Sequence, residues 1–261
     1  EEQYSRFAAD NSLQEYFEKQ NIVAIDGIDS RALVIHIREA GAMNCIISSD
    51  NANVDELKKI LDAVPSMAGL ELASVVSTKE TYTAGNEDSK IRIAVLDFGI
   101  KKNILNCFVE RGAYVKVFNA KTNFKELEKF NPDGYFISNG PGDPGPMKYA
   151  VDTVKEILEA KKPFFGICLG QQLLALANDI PTFKMHHGHR GLNHPVKNVI
   201  SGKCEITTQN HGFGVEADAV RQADNIEITH VNLNDDSIEG IRLKDRPAFS
   251  VQYHPESTPG P

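Results

Sequence analysis

The sequence has no tryptophan, only four cysteines among 261 residues, and no apolar run long enough to cross a bilayer. The cysteines, Cys45, Cys107, Cys168 and Cys204, are widely spaced and form no C-x-x-C pair, which argues against both a zinc site and a disulfide framework. A reducing, cytoplasmic compartment is therefore the expectation. Basic residues are in deficit: 28 Lys and Arg stand against 36 Asp and Glu, a formal net charge of -8. Wrapping a phosphate backbone needs clustered cations whose contacts release counterions, so neither nucleic acid nor a membrane is expected as partner, and a small neutral or zwitterionic substrate fits better. Also missing is G-x-x-x-x-G-K-[ST], so no cradle for ATP phosphates is expected. The chain opens on Glu1-Glu2-Gln3 with no basic-then-apolar leader, so no targeting signal is expected; its abrupt ends lead us to expect segments of a longer protein outside it.

What is present describes a globular protein: 41% hydrophobic and 25% charged residues. Single domains run to roughly 100–200 residues, so two domains are expected. In the first, Asn21–Ile25 reads as a strand, Asp29 as the N-cap of a helix through Glu39, and Gly41 as its stop. Leu57, Ile60, Leu61 and Val64 fall at the i, i+3, i+4, i+7 spacing of one helical face, and Pro65 blocks continuation. Residues 1–80 thus read as a small α+β domain. The polar stretch Thr78–Lys90 reads as the linker, with residues 81–90 as its body.

From residue 91 to 261 apolar runs alternate with helical segments: 91–96 then 103–110, 114–118 then 124–130, 135–137 then 147–160, 163–167 then 169–177. Such alternation predicts an α/β fold, an open, mostly parallel sheet flanked by helices. From Thr182 onward the pattern becomes short β runs, including 204–208, 227–231, 237–242 and 248–251, which extend or edge it. In such sheets the ligand lies beyond the carboxyl ends of the strands, so loops that follow strands are where chemistry is sought.

One such loop carries Cys168, between the apolar strand ending at Ile167 and a helix, inside G-x-C-x-G. This is the cysteine counterpart of a nucleophile elbow: small neighbours allow a tight, strained turn, and the helix N-terminus favours thiolate. The N–H of Leu169, next in the chain, is free to donate to an oxyanion. Cys45, Cys107 and Cys204 read as small buried hydrophobes. The base is sought in Tyr253-His254-Pro255-Glu256 after the last strand. In extended backbone positions i and i+2 face the same way, so Glu256 can fix the tautomer of His254 while its other nitrogen faces the thiol. The glycine-rich loop Ser138–Pro146 follows another strand and exposes backbone N–H groups, with Gly140 the second oxyanion donor and Gly142 lining the substrate. Gln209–Gly214 reads as a polar loop that could take the charged end of an amino acid through Asn210 and backbone; a surface turn explains it equally well. The cluster Met185-His-His-Gly-His189 lacks helical ligand spacing and an evident acidic partner, so no metal is assigned.

Together G-I-C-L-G-Q-Q, S-N-G-P-G-D-P, Q-N-H-G-F and H-P-E resemble the class I (triad) glutamine amidotransferase family. Within it, Ile28–Met43, K-x-N at Lys101–Asn103 and G-H-R-G-L-N-H-P at Gly188–Pro195 resemble the branch of small, glutamine-hydrolysing subunits of carbamoyl phosphate synthetases. The resemblance implies a flavodoxin-like glutaminase sheet and a triad of Cys168, His254 and Glu256. It also implies oxyanion donors at Leu169 and Gly140, and glutamine held by Gly140, Gly142, Leu169, Gln172, Asn210, Gly212 and Phe213. As partner it implies a large synthetase subunit carrying the ATP and metal ions for carbamoyl phosphate synthesis in the arginine and pyrimidine pathways, with no cofactor in this chain. Gln171 stands where the family commonly has His. Two alternatives stay open: the glutaminase of another class I amidotransferase, and a non-catalytic, glutamine-binding regulatory subunit.

Overall fold

The computed structural model describes residues 9–257, and the chain divides into two compact units, Glu1–Ser66 and Met67–Pro261. The first contains α1 (Leu13–Lys19), α2 (Ser30–Ala40) and α3 (Val54–Asp62). Each start has a side-chain cap: Ser12 with Glu15 as a capping box, Asp29 accepting from the Ala32 N–H, and Asn53 accepting from the N–H groups of Asp55 and Glu56. α2 ends at Gly41, at φ 89°. Asn21–Ile25, expected as a strand, is not one, and no strand occurs among the described residues of this unit. Its β-branched residues favour extended backbone, but a strand exists only with a pairing partner. Where it is described, this unit is therefore helical rather than α+β.

The second unit is built on one ten-stranded sheet. Its centre comprises β2 (Ile91–Asp97), β3 (Ala113–Asn119), β4 (Gly134–Ile137), β5 (Phe164–Ile167) and β10 (Ala248–Val251), parallel in the order β3-β2-β4-β5-β10. Successive residues of β2 serve opposite layers: Ala94 and Leu96 pack with α7 (Lys148–Glu159) and α8 (Leu169–Ala177), while Val95 packs with α5 (Lys102–Glu110). The expected helix at 124–130 is α6 (Phe124–Glu128), following the short α4 (Ala73–Val76) earlier in the unit. Thr78–Lys90, expected as a linker, carries β1 (Tyr82–Ala84), which pairs antiparallel with β3, and the two units divide at Ser66/Met67 instead.

Between β5 and β10 the chain makes an antiparallel excursion through β6 (Thr182–Asn198), β7 (Cys204–Val215), α9 (Ala217–Gln222), β8 (Ile226–Asn232) and β9 (Ile238–Leu243). Short β runs were expected from Thr182 onward, but not a strand as long as β6, and Gln209–Gly214, expected as a loop, is the second half of β7. Both stretches are rich in His, Gly and Asn, residues that carry little strand signal; it is cross-strand pairing that holds them extended, with register shifts on the way. Cys45 and Cys204, expected to be buried, are exposed, and Cys107 is half-buried. Among the described residues no helix is long and apolar enough to cross a membrane.

Candidate active site

Cys168 lies between the end of β5 and the first turn of α8, at φ 54° and ψ -102°. A non-glycine residue there carries strain of about 1–3 kcal/mol, which persists only where its surroundings dictate it. Here they do: the Cys168 N–H donates to the Val251 carbonyl of β10 at 2.8 Å, and its carbonyl accepts from the Gln171 N–H at 3.0 Å. The flanking glycines are required by close approach. A Cβ on Gly166 would lie 2.6 Å from the Gly170 carbonyl oxygen, and one on Gly170 would lie 2.3 Å from that of Ile137. Leu169 begins α8, so its N–H has no intrahelical acceptor, while its side chain is buried in the core.

β10 lies beside β5 in parallel register, Val251 opposite Ile167, and so delivers His254 to the same end of the sheet. The His254 N–H donates to the Thr208 carbonyl at 2.9 Å, the imidazole is in hydrogen-bonding contact with Cys168, and Nδ1 lies 2.8 Å from Glu256 Oε1. The backbone from 254 to 257 is a turn, closed by Ser257 N–H to His254 carbonyl at 3.2 Å, rather than the extended segment expected; the carboxylate reaches the ring by folding back. Lys101 Nζ stands 3.0 Å from Glu256 Oε1, and Asn103 Nδ2 donates to the Glu256 carbonyl. The K-x-N pair, whose role was not evident from sequence, thus anchors the orienting carboxylate.

Burial opposes charge on His254, but hydrogen bonds to Cys168 and Glu256 and their negative charge overcome it and raise its pKa to about 9. Burial likewise opposes ionisation of Glu256, and the His254 contact outweighs it and lowers that pKa. A raised pKa keeps the proton on the ring. The stabilisation from the imidazolium is fully present below the unfolded value of 6.5 and is lost as pH rises through about 9. Any reaction that needs His254 as proton donor should therefore hold its saturated rate up to about pH 9. Beyond that it should decline about tenfold per pH unit. A pH profile at saturating substrate checks this; a decline centred near 6.5 would contradict the coupling.

In front of the sulfur is a cavity of about 310 Å³, near the lower end of small-molecule sites, which run to roughly 300–1,000 Å³. It gathers Gly140, Gly142, Cys168, Gln172, Asn210, Gly212, Phe213 and His254, all named from the sequence, and adds Lys101, Asn139, Arg190 and His211, which were not assigned. Leu169 and Glu256 are not on its wall: one can offer only its backbone N–H, the other stands behind His254. The glycine-rich loop is pinned by Asp143, whose N–H donates to the Leu70 carbonyl and whose carboxylate accepts from the Gly69 N–H, each at 2.8 Å. Gln172 Nε2 donates to the Phe213 carbonyl at 3.0 Å. Gln171 is buried, with Nε2 on the Ile238 carbonyl at 3.1 Å, away from the sulfur. A larger groove of about 790 Å³ over β8 to β10 has no cysteine on its wall.

Residues 94–261 match the family model described as "Glutamine amidotransferase class-I", and residues 1–47 match "Carbamoyl-phosphate synthase small chain, CPSase domain". The chain is 46% identical over 260 residues to the carbamoyl phosphate synthase small chain of Chlorobaculum tepidum, covering 99% of this chain and 70% of the relative. To that of Vibrio cholerae it is 45% identical over 275 residues, covering 98% and 72%. Among solved structures it resembles a Thermoplasma acidophilum protein assigned to GMP synthase (TM-score 0.55, 22% identity, 64% of this chain and 85% of that one). It also resembles a glutamine amidotransferase from Thermotoga maritima (TM-score 0.51, 17% identity, 64% and 76%). At these identities the two structures speak for the fold.

Proposed function

Because the chain belongs to the class I glutamine amidotransferase family, among its carbamoyl phosphate synthase small chains, we propose that it hydrolyses glutamine through a thioester on Cys168. The observation that carries the reading is the meeting of two stretches far apart in sequence. The strained elbow of β5 holds the thiol against an imidazole that β10 delivers, backed by Glu256.

The Cys168 thiolate attacks the side-chain amide carbon of glutamine, and the oxygen that takes up the electron pair is held by the N–H groups of Leu169 and Gly140. As the tetrahedral intermediate collapses, the C–N bond breaks and His254 Nε2 gives its proton to departing ammonia. A γ-glutamyl thioester remains. Neutral His254 then takes a proton from water, the hydroxide adds to the thioester carbonyl, and the C–S bond breaks to release glutamate and regenerate the thiolate beside the imidazolium. Glu256, held by Lys101, keeps the Nδ1 proton in place throughout, so that Nε2 is the nitrogen facing sulfur and substrate. Gln172, Asn210, Gly212 and Phe213 hold the amino-acid end. Ammonia released into neutral water would become ammonium and cease to be a nucleophile. We therefore assign the product to a large synthetase subunit, which carries ATP and its metal ions and makes carbamoyl phosphate for arginine and pyrimidine synthesis.

The test is to incubate the chain with glutamine and follow both glutamate release and the mass of the Cys168 peptide after acid quench. A γ-glutamyl adduct on Cys168 with glutamate in solution is expected. Glutamine binding with neither product would replace this reading with that of a non-catalytic regulatory subunit.

A further inference from the structure

Behind the pocket wall is a buried polar cluster that the proposed reaction does not use. His189 of β6 and His211 of β7 are cross-strand partners, with His189 Nδ1 3.2 Å from His211 Nε2. His189 Nε2 lies 2.9 Å from Asp235 Oδ2, and its Nδ1 lies 3.3 Å from Glu239 Oε1 and 3.0 Å from Gln209 Oε1. Glu239 is fully buried and also accepts from Asn232 Nδ2 at 3.0 Å. His211 Nδ1 lies 2.8 Å from the Phe213 carbonyl.

This cluster stands beside an irregularity in the β6–β7 ladder. The β6–β7 ladder pairs His189 with His211 and Lys184 with Phe213, so β6 sets Met185–Gly188 against Gly212 alone. Within that irregularity Gly212, in the segment Asn210–Phe213 that lines the pocket beside Cys168, has no ladder partner, and the polar groups around it draw on side-chain partners as well. The Phe213 carbonyl finds two: Gln172 Nε2 from below and the His211 ring. Burial drives the His211 pKa down to about 4, so the ring is neutral with a single N–H. The Phe213 carbonyl takes that N–H at Nδ1, and Nε2 faces the Gln209 side-chain amide at 2.8 Å and His189 Nδ1 at 3.2 Å. Burial also opposes charge on His189, and Glu239 and Asp235 outweigh it and raise its pKa, which favours a proton on both nitrogens.

The same atoms invite a metal reading, because His189, His211 and Glu239 each offer a ligand atom within 4.8 Å of the others. The spacing of these atoms suits a shared proton as well as a metal. A tetrahedral zinc with bonds of about 2.05 Å needs its ligands roughly 3.3 Å apart. Here the two histidine nitrogens are 3.2 Å apart and His189 Nδ1 is 3.3 Å from Glu239 Oε1, both close to that edge, while Gln209 Oε1, 2.8 Å from His211 Nε2 and 3.0 Å from His189 Nδ1, stands at hydrogen-bonding distance; zinc content decides between the two readings.

We propose that His189 is a positioning residue for glutamine: clamped by Asp235 and Glu239, it holds the ring of His211, which holds the Phe213 carbonyl and with it the pocket wall Asn210–Phe213. This rests on the glutaminase reading above, and its test separates the two. Glutamine binding is measured by calorimetry on the chain carrying Cys168→Ser, alone and with His189→Gln or Asp235→Asn. His189→Gln should weaken binding roughly 10- to 100-fold, the scale of a pocket wall shifted by about an ångström. Asp235→Asn, at the exposed end of the cluster, should keep the parental melting temperature and weaken binding less. With Cys168 restored, its alkylation by iodoacetamide should proceed at the parental rate in both variants, because the triad is not part of the cluster. Unchanged glutamine affinity overturns the proposal. So does a joint fall of affinity, alkylation rate and melting temperature in both variants, which would make the cluster merely structural. One zinc per chain in the purified protein overturns it too, by making His189 a ligand. Failure of glutamine to bind the parent chain overturns the glutaminase reading and the proposal with it.

Discussion

Replacing Cys168 with serine is expected to lower glutamate release by about 10⁴-fold or more while leaving the melting temperature of the chain unchanged. The substitution changes one atom. Strain at this position belongs to the backbone, at φ 54° and ψ -102°, and the N–H to Val251 and carbonyl to Gln171 hydrogen bonds are main-chain contacts that serine keeps. What is lost is the sulfur nucleophile: a cysteine can react as thiolate, whereas a serine hydroxyl is the weaker nucleophile and needs a stronger base. His254→Ala should cost a similar factor, because it removes the acid that ammonia needs on leaving. The double variant should be no slower than either single one by more than a few-fold, since the two groups perform one step. Steady-state glutamate assays on the three variants decide the matter; losses that multiply would mean that the two side chains act in separate steps.

The second large effect is on the fold. Gly170 lies inside α8, where exchange of glycine for alanine ordinarily stabilises by up to about 1 kcal/mol. At this position the sign should reverse. The added Cβ would lie 2.3 Å from the Ile137 carbonyl oxygen and 3.3 Å from the Ile137 Cβ, both on the adjoining strand β4, which is buried and cannot yield as a flexible side chain would. A cost of about 3 kcal/mol is expected for such overpacking. For a unit of this size that is a fall of roughly 6–12 °C in melting temperature. Because relief requires α8 to back away from β4, the elbow moves with it, and glutamate release should fall about 100-fold. A Gly170→Ala chain that melts at or above the parental temperature would show that helix and strand are not in the close contact described.

Those two positions were also the most legible in the sequence. G-x-C-x-G is short but over-determined: an apolar strand, two residues that tolerate no side chain, a nucleophile and a helix start must all coincide, and α8 begins and ends where the pattern puts it. The alternation of apolar runs with helical faces was equally direct for β2 to β5, since each central strand is covered on both sides by helices from its own neighbourhood. Legibility fell where structure depends on distant partners. Asn21–Ile25 has strand residues but nothing to pair with among those described, whereas Met185–Pro195 has almost no strand residues and is extended because β7 lies beside it. His254 and Glu256 were paired for the right chemistry by the wrong route, because a turn and an extended segment can both bring positions i and i+2 together. Lys101 and Asn103 gave no signal of their purpose, as their target lies 153 or more residues further along the chain. The acidic neighbours of His189 were missed for the same reason: Asp235 is 46 positions away.

The nucleophile and its base sit on β5 and β10, neighbours in the sheet joined by parallel hydrogen bonds, yet the chain between them runs through four further strands before it returns. The distance that matters for bond making is thus set chiefly by one ladder, to which the detour adds the Thr208 carbonyl that holds the His254 N–H. Parts of β6 to β9 that touch neither Thr208, the pocket wall Asn210–Phe213 nor β10 can be lengthened or decorated with the reacting atoms left in place. Selection for a new destination for the ammonia can therefore work on that detour without first having to reinvent the chemistry that releases it.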